Sequence, residues 1–162
     1  MFGLNLHYVV AGVIATLCMD ALTALAIRLG LAAPLSPKLI GRWFATVARA
    51  HPFHADIALA PPVAHEIAIA LPVHYAIGIT LTSLYRLASS RLSWQPSCIK
   101  WAVAFGLLTS VFPWLMMFPA MGYGFFGMRG PAGTHLFVSS LISHAFFGLG
   151  LCVAAALAIR YT

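Results

Sequence analysis

Three of the four long apolar stretches of the chain each carry one ionisable residue near the middle. These residues are Asp20 in the first stretch, His74 in the second and His144 in the fourth, whereas the third carries Pro113. A charged side chain in hydrocarbon costs about 2.5–3.5 kcal/mol, so such residues usually face a bundle interior or a water-filled cavity, where they relay protons or bind substrates. The pattern predicts a polar cavity at half depth that binds a small ligand or conducts protons or ions.

The depths of these residues agree with one another. With a rise of about 1.5 Å per helical residue, all four are displaced from mid-span by roughly 1–6 Å toward the side that bears the first and third connections. Residues four apart share a helix face, and two such stripes alternate polar with small residues, as packed membrane helices require. Glu66 and Ser140 thereby join the candidate binding residues. The stripes are Glu66, Ala70, His74 and Gly78 in the second span, and Ser140, His144, Gly148 and Cys152 in the fourth.

Two other classes of function could use the same residues. His74 and His144 lie within about 3 Å of each other along the membrane normal, which would let them ligate one haem between facing helices. Alternatively, the polar residues bond the helices together or meet another chain, as in a structural or assembly subunit or a homo-oligomer. The sequence contains no nucleophile motif, phosphate-binding glycine loop or nucleotide fingerprint. Enzymatic activity is therefore an open question.

A second group of polar residues lies in and after the first connection. Imidazole nitrogens and carboxylate oxygens are the ligands that zinc takes in tetrahedral sites. Pro52 interrupts the pair formed by His51 and His54, and the spacing matches no H-E-x-x-H zinc motif. Zinc is therefore a second possible cofactor besides haem. Its candidate ligands are His51, His54, Asp56 and His65.

Composition determines the class of protein. Hydrophobic residues make up 62% of the 162 residues and charged residues 7%, and the mean hydropathy is +0.95. Four spans of about 20–23 residues, each long enough to cross a hydrocarbon layer of roughly 30 Å, use most of the chain. We therefore predict an all-α, four-helix membrane bundle as a single domain over residues 1–162. The predicted spans are residues 6–28, 64–86, 98–120 and 136–157.

A short amphipathic helix is predicted over residues 37–50, between the first two spans. Lys38, Arg42 and Arg49 share one side of it, which is typical of a helix that lies in the membrane interface. Trp43 fits the aromatic belt at that depth. The net charge of +6 is accordingly interpreted as attraction to anionic lipid headgroups of the bilayer rather than to nucleic acid.

Taken together, the motifs of the chain resemble a prokaryotic membrane family described as domain of unknown function 2938. The resemblance covers nearly the whole chain and implies a multi-pass, four-helix protein of the bacterial inner membrane with no established activity. Because His74 is followed by Tyr75 in the family pattern, Tyr75 completes the candidate binding residues. The matching motifs are Met19-Asp20, Gly41-Arg42-Trp43, Ala60-Pro61-Pro62 with Glu66, His74-Tyr75 with Gly78, Pro119-Ala120 with Gly122, and His144 with Phe147-Gly148-Leu149-Gly150.

Overall fold

The computed structural model describes residues 6–159, and all regular secondary structure in that range is helical. A π-helical turn, Pro113–Met117, leads from the fourth helix to the fifth, and a 3-10 turn, Phe125–Gly127, follows. The helices are α1 (Leu6–Arg28), α2 (Pro37–Val47), α3 (Glu66–Arg91), α4 (Ile99–Thr109), α5 (Phe118–Ala120) and α6 (Thr134–Ile159).

Four segments are long and apolar enough to cross a membrane, which confirms the predicted all-α fold with four spans and a short helix between the first two. The segments are Leu6–Arg28, Glu66–Arg91, Ile99–Ala120 and Thr134–Leu157. The predicted second span ended too early, because the helix continues from residue 86 to Arg91. The interfacial helix was predicted too long, because α2 ends at Val47 rather than at residue 50.

The third span is not one regular helix. α4 ends at Thr109, and the π-helical turn begins at Pro113, which has no backbone N–H to donate to the preceding turn. π-helical turns are rare and are frequent at functional sites. The interruption lies near mid-span, at the level of the polar residues of the other helices.

The spans are neighbours in the order α3, α1, α6, α4, and α3 makes almost no main-chain approach to α4. Glycines permit the close approaches: a Cβ at Gly150 would lie 2.5 Å from the Ala15 carbonyl oxygen, and one at Gly148 would lie 2.5 Å from the Ala102 carbonyl oxygen. Near the α3–α4 connection, the rings of Tyr85 and Phe105 close the gap with centroids 5.1 Å apart. The four helices therefore form an arc rather than a closed square.

A compact structure, here called the cap, covers the end of the bundle that bears the first and third connections. It consists of α2, residues 51–63 and residues 118–133. Backbone hydrogen bonds from His54 N to Ala120 O (2.8 Å) and from Ile57 N to Met121 O (2.9 Å) join the two connections. Its buried apolar core is formed by Trp43, Ile57, Phe118, Ala120, Met121 and Tyr123, together with Leu136 of α6.

The structure corrects the predicted surroundings of two residues of α2. Trp43 is not in a lipid-facing aromatic belt, because it is 4% exposed and its Nε1 donates to Pro52 O over 2.8 Å. Arg42 is not on a headgroup-facing surface, because it is 8% exposed. The physical reason is Gly41, whose missing side chain lets α2 lie directly on the backbone of Glu66. One side of α2 is therefore buried against the protein.

Candidate functional site

Asp20 accepts hydrogen bonds from two adjacent side chains of α3. His74 Nε2 lies 2.9 Å from Asp20 Oδ1, and the Tyr75 hydroxyl donates to Asp20 Oδ2 over 3.1 Å. The His74 and Tyr75 rings meet edge to face at 83°, with their centroids 5.5 Å apart. These three residues, here called the Asp20 cluster, join α1 to α3 near the middle of both spans.

The Asp20 cluster has two positions for an added proton. An ionised carboxylate only accepts, so His74 Nε2 carries the hydrogen of the bond to Asp20. A further proton on Asp20 or on His74 removes the net charge of the pair, and a neutral pair costs less in hydrocarbon than a lone carboxylate. The side chains of Asp20 and His74 are 41% and 35% exposed. Neither side chain is fully enclosed by the protein.

His144 is bonded to α4 rather than to Asp20. Its Nδ1 lies 2.7 Å from Thr109 Oγ1, which in turn lies 2.6 Å from Gly106 O. The threonine hydroxyl has one hydrogen, so when it donates to the Gly106 carbonyl, His144 Nδ1 must donate to it. In the neutral imidazole this leaves Nε2 as the free acceptor.

A hydrogen bond between α1 and α6 shows that His144 and Asp20 lie at similar depths in the bundle. Thr23 Oγ1, three residues after Asp20, donates to Ser143 Oγ over 3.1 Å. α1 and α6 run in opposite directions through the bundle, so a rise of about 1.5 Å per residue puts Asp20 and His144 about 3 Å apart in depth. Ser140, one turn from His144, is half-buried.

Glu66 lies apart from the Asp20 cluster, at the first residue of α3. Its Oε1 accepts from Arg42 Nε at 2.6 Å and from the backbone N–H of Val63 at 3.0 Å. Arg42 Nη1 also donates to the carbonyl of Ala60 at 2.8 Å and to two neighbouring carbonyls at 3.2 Å. Arg42 and Glu66 thus fix residues 57–63 of the cap to the start of α3.

The four candidate zinc ligands are not brought together. His51 Nδ1 contacts a backbone carbonyl oxygen, His54 Nε2 contacts Thr46 Oγ1, and Asp56 Oδ1 accepts a backbone N–H. His65 is exposed and has a left-handed backbone before α3. Within residues 6–159, no group of three or more histidine, cysteine or acidic side chains is placed to hold a metal ion.

Several polar partners were not predicted from the sequence. Thr109, Thr23 and Ser143 are single hydroxyl residues in apolar helices, which more often bond their own backbone. One signal was available, since Thr109 precedes Pro113 by four residues and therefore lies where the helix loses a main-chain hydrogen bond. The partnership of Arg42 with Glu66 had no local signal, because 24 residues separate them.

The fold and the placement of the polar residues define a four-helix, multi-pass membrane protein with an acid–base cluster within its spans. The model of a family of proteins of unknown function, DUF2938, matches residues 9–158. The chain belongs to this family, which confirms the resemblance of its motifs. No match to a curated protein or to a solved structure was found.

Proposed function

We propose that this membrane protein takes up and passes on protons, with the Asp20 cluster as its proton-binding site. One observation carries the proposal: a carboxylate and an imidazole from different spans are 2.9 Å apart. Intramembrane acids and histidines usually mark ion pathways or proton relays. In this proposal a proton that arrives on His74 passes along the hydrogen bond from Nε2 to Asp20 Oδ1.

The charge states of the pair are compatible with this assignment. Before uptake, the pair consists of an ionised Asp20 and a neutral His74. After uptake, it is either an ion pair or a neutral acid beside a neutral imidazole, and both forms have no net charge. Uptake or release of one proton therefore changes the charge of the pair by one unit. A membrane voltage can drive the movement of that charge.

His144 is the second proton-binding group of the proposal. It lies about 3 Å from Asp20 in depth, and its Nδ1 is engaged by Thr109. The remaining ring nitrogen, Nε2, accepts a proton without breaking the contact with α4. The haem interpretation uses the same two histidines and stays a prediction. It would require His74 to ligate through Nδ1 or to give up the contact of Nε2 with Asp20.

The membrane that we propose is the bacterial inner membrane, as the resemblance to the family implies. Apolar helical spans support this placement, because proteins of the bacterial outer membrane cross it as β-barrels. Separation of the two membranes of the native cells, followed by detection of the chain, tests it. Recovery in the outer-membrane fraction would contradict this part of the proposal.

The proposed function is tested in vesicles that contain the purified protein and an internal pH-sensitive dye. A potassium gradient with a potassium ionophore supplies the voltage, and the rate of internal acidification is measured. Asp20→Asn is the informative variant, because its amide still accepts from His74 and donates to the Tyr75 oxygen but binds no proton. We expect its rate to fall to that of protein-free vesicles.

The control is Thr23→Val, which removes one hydrogen bond between α1 and α6 while leaving the Asp20 cluster intact. Such a bond contributes about 0.6 kcal/mol between membrane helices, so the control should fold and keep its rate. A folded Asp20→Asn protein with the rate of the unmodified protein would assign Asp20 a structural role and overturn the proposal.

A further inference from the structure

The cap contains an open cavity of about 440 Å³ outside the membrane-spanning segments. It lies between the end of α2 and the segment that leads into α3. Its volume is within the range of about 300–1,000 Å³ that is usual for small-molecule sites. Most of the lining is apolar, with Pro61 and Pro62 in one wall, and the charged or ionisable lining residues are Arg49, His54 and Asp56.

The cavity is held in shape by the cap. The backbone N–H of His54 donates to Ala120 O over 2.8 Å, and Ile57 is fully buried in the core. Asp56 Oδ1 accepts from the backbone N–H of Ala58 over 2.9 Å, which orients the carboxylate. The backbone of this part of the lining and the carboxylate of Asp56 are therefore held in place, which lowers the entropy cost of binding.

Each ionisable lining residue keeps an unused polar atom. Thr46 donates its hydroxyl hydrogen to Trp43 O over 2.8 Å, so His54 Nε2, at 2.9 Å from the same oxygen, must be the donor of their contact. This leaves Nδ1 of His54 as the second ring nitrogen. Asp56 retains Oδ2, and the exposed Arg49 retains its guanidinium.

We propose that this cavity binds a phosphoethanolamine group, with the phosphate at Arg49 and the ammonium at Asp56. The observation behind it is the presence of a cation and an anion in the lining of one open cavity. A guanidinium pairs with phosphate through two parallel hydrogen bonds, and a primary ammonium donates to a carboxylate. Because the cap lies at the end of the spans, a lipid headgroup and a free phosphoethanolamine ester both have access. The proposal is independent of the proton-binding function.

Binding of a soluble probe, glycerophosphoethanolamine, to the purified full-length protein in detergent tests the chemistry. The matched probe is glycerophosphocholine, whose quaternary ammonium has no hydrogen to donate to Asp56. We expect saturable binding by isothermal titration calorimetry, at least about tenfold tighter for the ethanolamine ester, the size expected for one hydrogen bond to a charged group. Equal affinities, or no saturable binding, would overturn the proposal.

Variants locate the site. Arg49→Gln and Asp56→Asn should each weaken binding of glycerophosphoethanolamine by about tenfold. Asp56→Asn retains the acceptor for Ala58 N–H, so the turn stays intact. Lys38→Gln removes the same charge at an exposed residue of α2 outside the cavity lining, and it should change the affinity by less than about twofold. An equal loss in all three variants would contradict a specific site.

The source of the ligand is decided in lipid nanodiscs. If a membrane lipid fills the cavity, nanodiscs of phosphatidylethanolamine block the soluble probe, whereas nanodiscs of phosphatidylcholine leave it able to bind. If the ligand is a free ester, the probe binds equally in both. Either result supports the proposed chemistry and names its source, whereas absence of probe binding in both kinds of nanodisc would overturn it.

Discussion

Arg42 and Glu66 form an ion pair in which Nε and Oε1 are 2.6 Å apart, with side chains only 10% and 9% exposed. Arg42 comes from the short helix α2, and Glu66 is the first residue of α3. Because the same guanidinium also binds the carbonyls of residues 57, 58 and 60, this pair holds the first connection in place. The cap therefore depends on one buried cation.

Replacement of Arg42 by Gln should destabilise the protein strongly. It leaves the Glu66 carboxylate buried without its partner, and removal of one member of a buried ion pair costs about 3–5 kcal/mol. The free energy of unfolding in detergent, measured by chemical denaturation, should fall by that amount. Arg91→Gln removes an exposed charge at the other end of α3 and is the control. Equal losses in the two variants would contradict this role of Arg42.

Gly148→Ala should separate α4 from α6. A Cβ at Gly148 would lie 2.5 Å from Ala102 O and 2.6 Å from Val103 Cα, both backbone atoms. Since a backbone cannot move aside like a flexible side chain, we expect a loss of about 1–3 kcal/mol in unfolding free energy. Ala104→Val adds atoms at an exposed position of α4 and should change stability little. A stable Gly148→Ala protein would show that the two helices are farther apart.

Tyr123→Phe should leave the cap as stable as before or stabilise it by about 1 kcal/mol. Tyr123 is 3% exposed, and its hydroxyl has no hydrogen-bond partner within the part of the chain that the structure describes. Burial, and the nearby carboxylate of Asp56, raise the pKa of Tyr123 above its ordinary value.

The raised pKa of Tyr123 also predicts a dependence on pH. The folded state holds the phenol proton more tightly than the unfolded state, so stability falls as the pH rises above the ordinary tyrosine value of about 10. Tyr123→Phe should lose less stability than the unmodified protein over that range of pH in thermal unfolding. A larger loss in the variant would contradict this prediction, because it would mean that the folded state lowers the pKa of Tyr123.

The number of spans and the shared level of Asp20 and His74 followed from the sequence, because both depend on regular properties of helices in hydrocarbon. Apolar length defines a span, and a constant rise per residue defines depth. The contact between Asp20 and His74 is consistent with the similar depths estimated for the two residues. The partnership of His144 with Thr109 does not, because it depends on which helices are neighbours.

The periodicity of the sequence could not predict the structure of the cap. The spacing of Lys38, Arg42 and Arg49 correctly indicated an amphipathic helix, but its polar side was assigned to lipid headgroups. The burial of Arg42 depends on Gly41, which permits contact with Glu66, and on carbonyls of a connection without regular structure. Such contacts are long-range in sequence and leave no periodic pattern.

The most direct test of the proton-binding site is infrared difference spectroscopy of the protein in lipid between two pH values. The account predicts a band of a protonated carboxyl group that is absent in Asp20→Asn. The band should shift in Tyr75→Phe, because that variant removes the hydroxyl that donates to Asp20 Oδ2. Spectra of the unmodified protein and of Asp20→Asn that are identical throughout the titration would contradict the claim that Asp20 binds a proton.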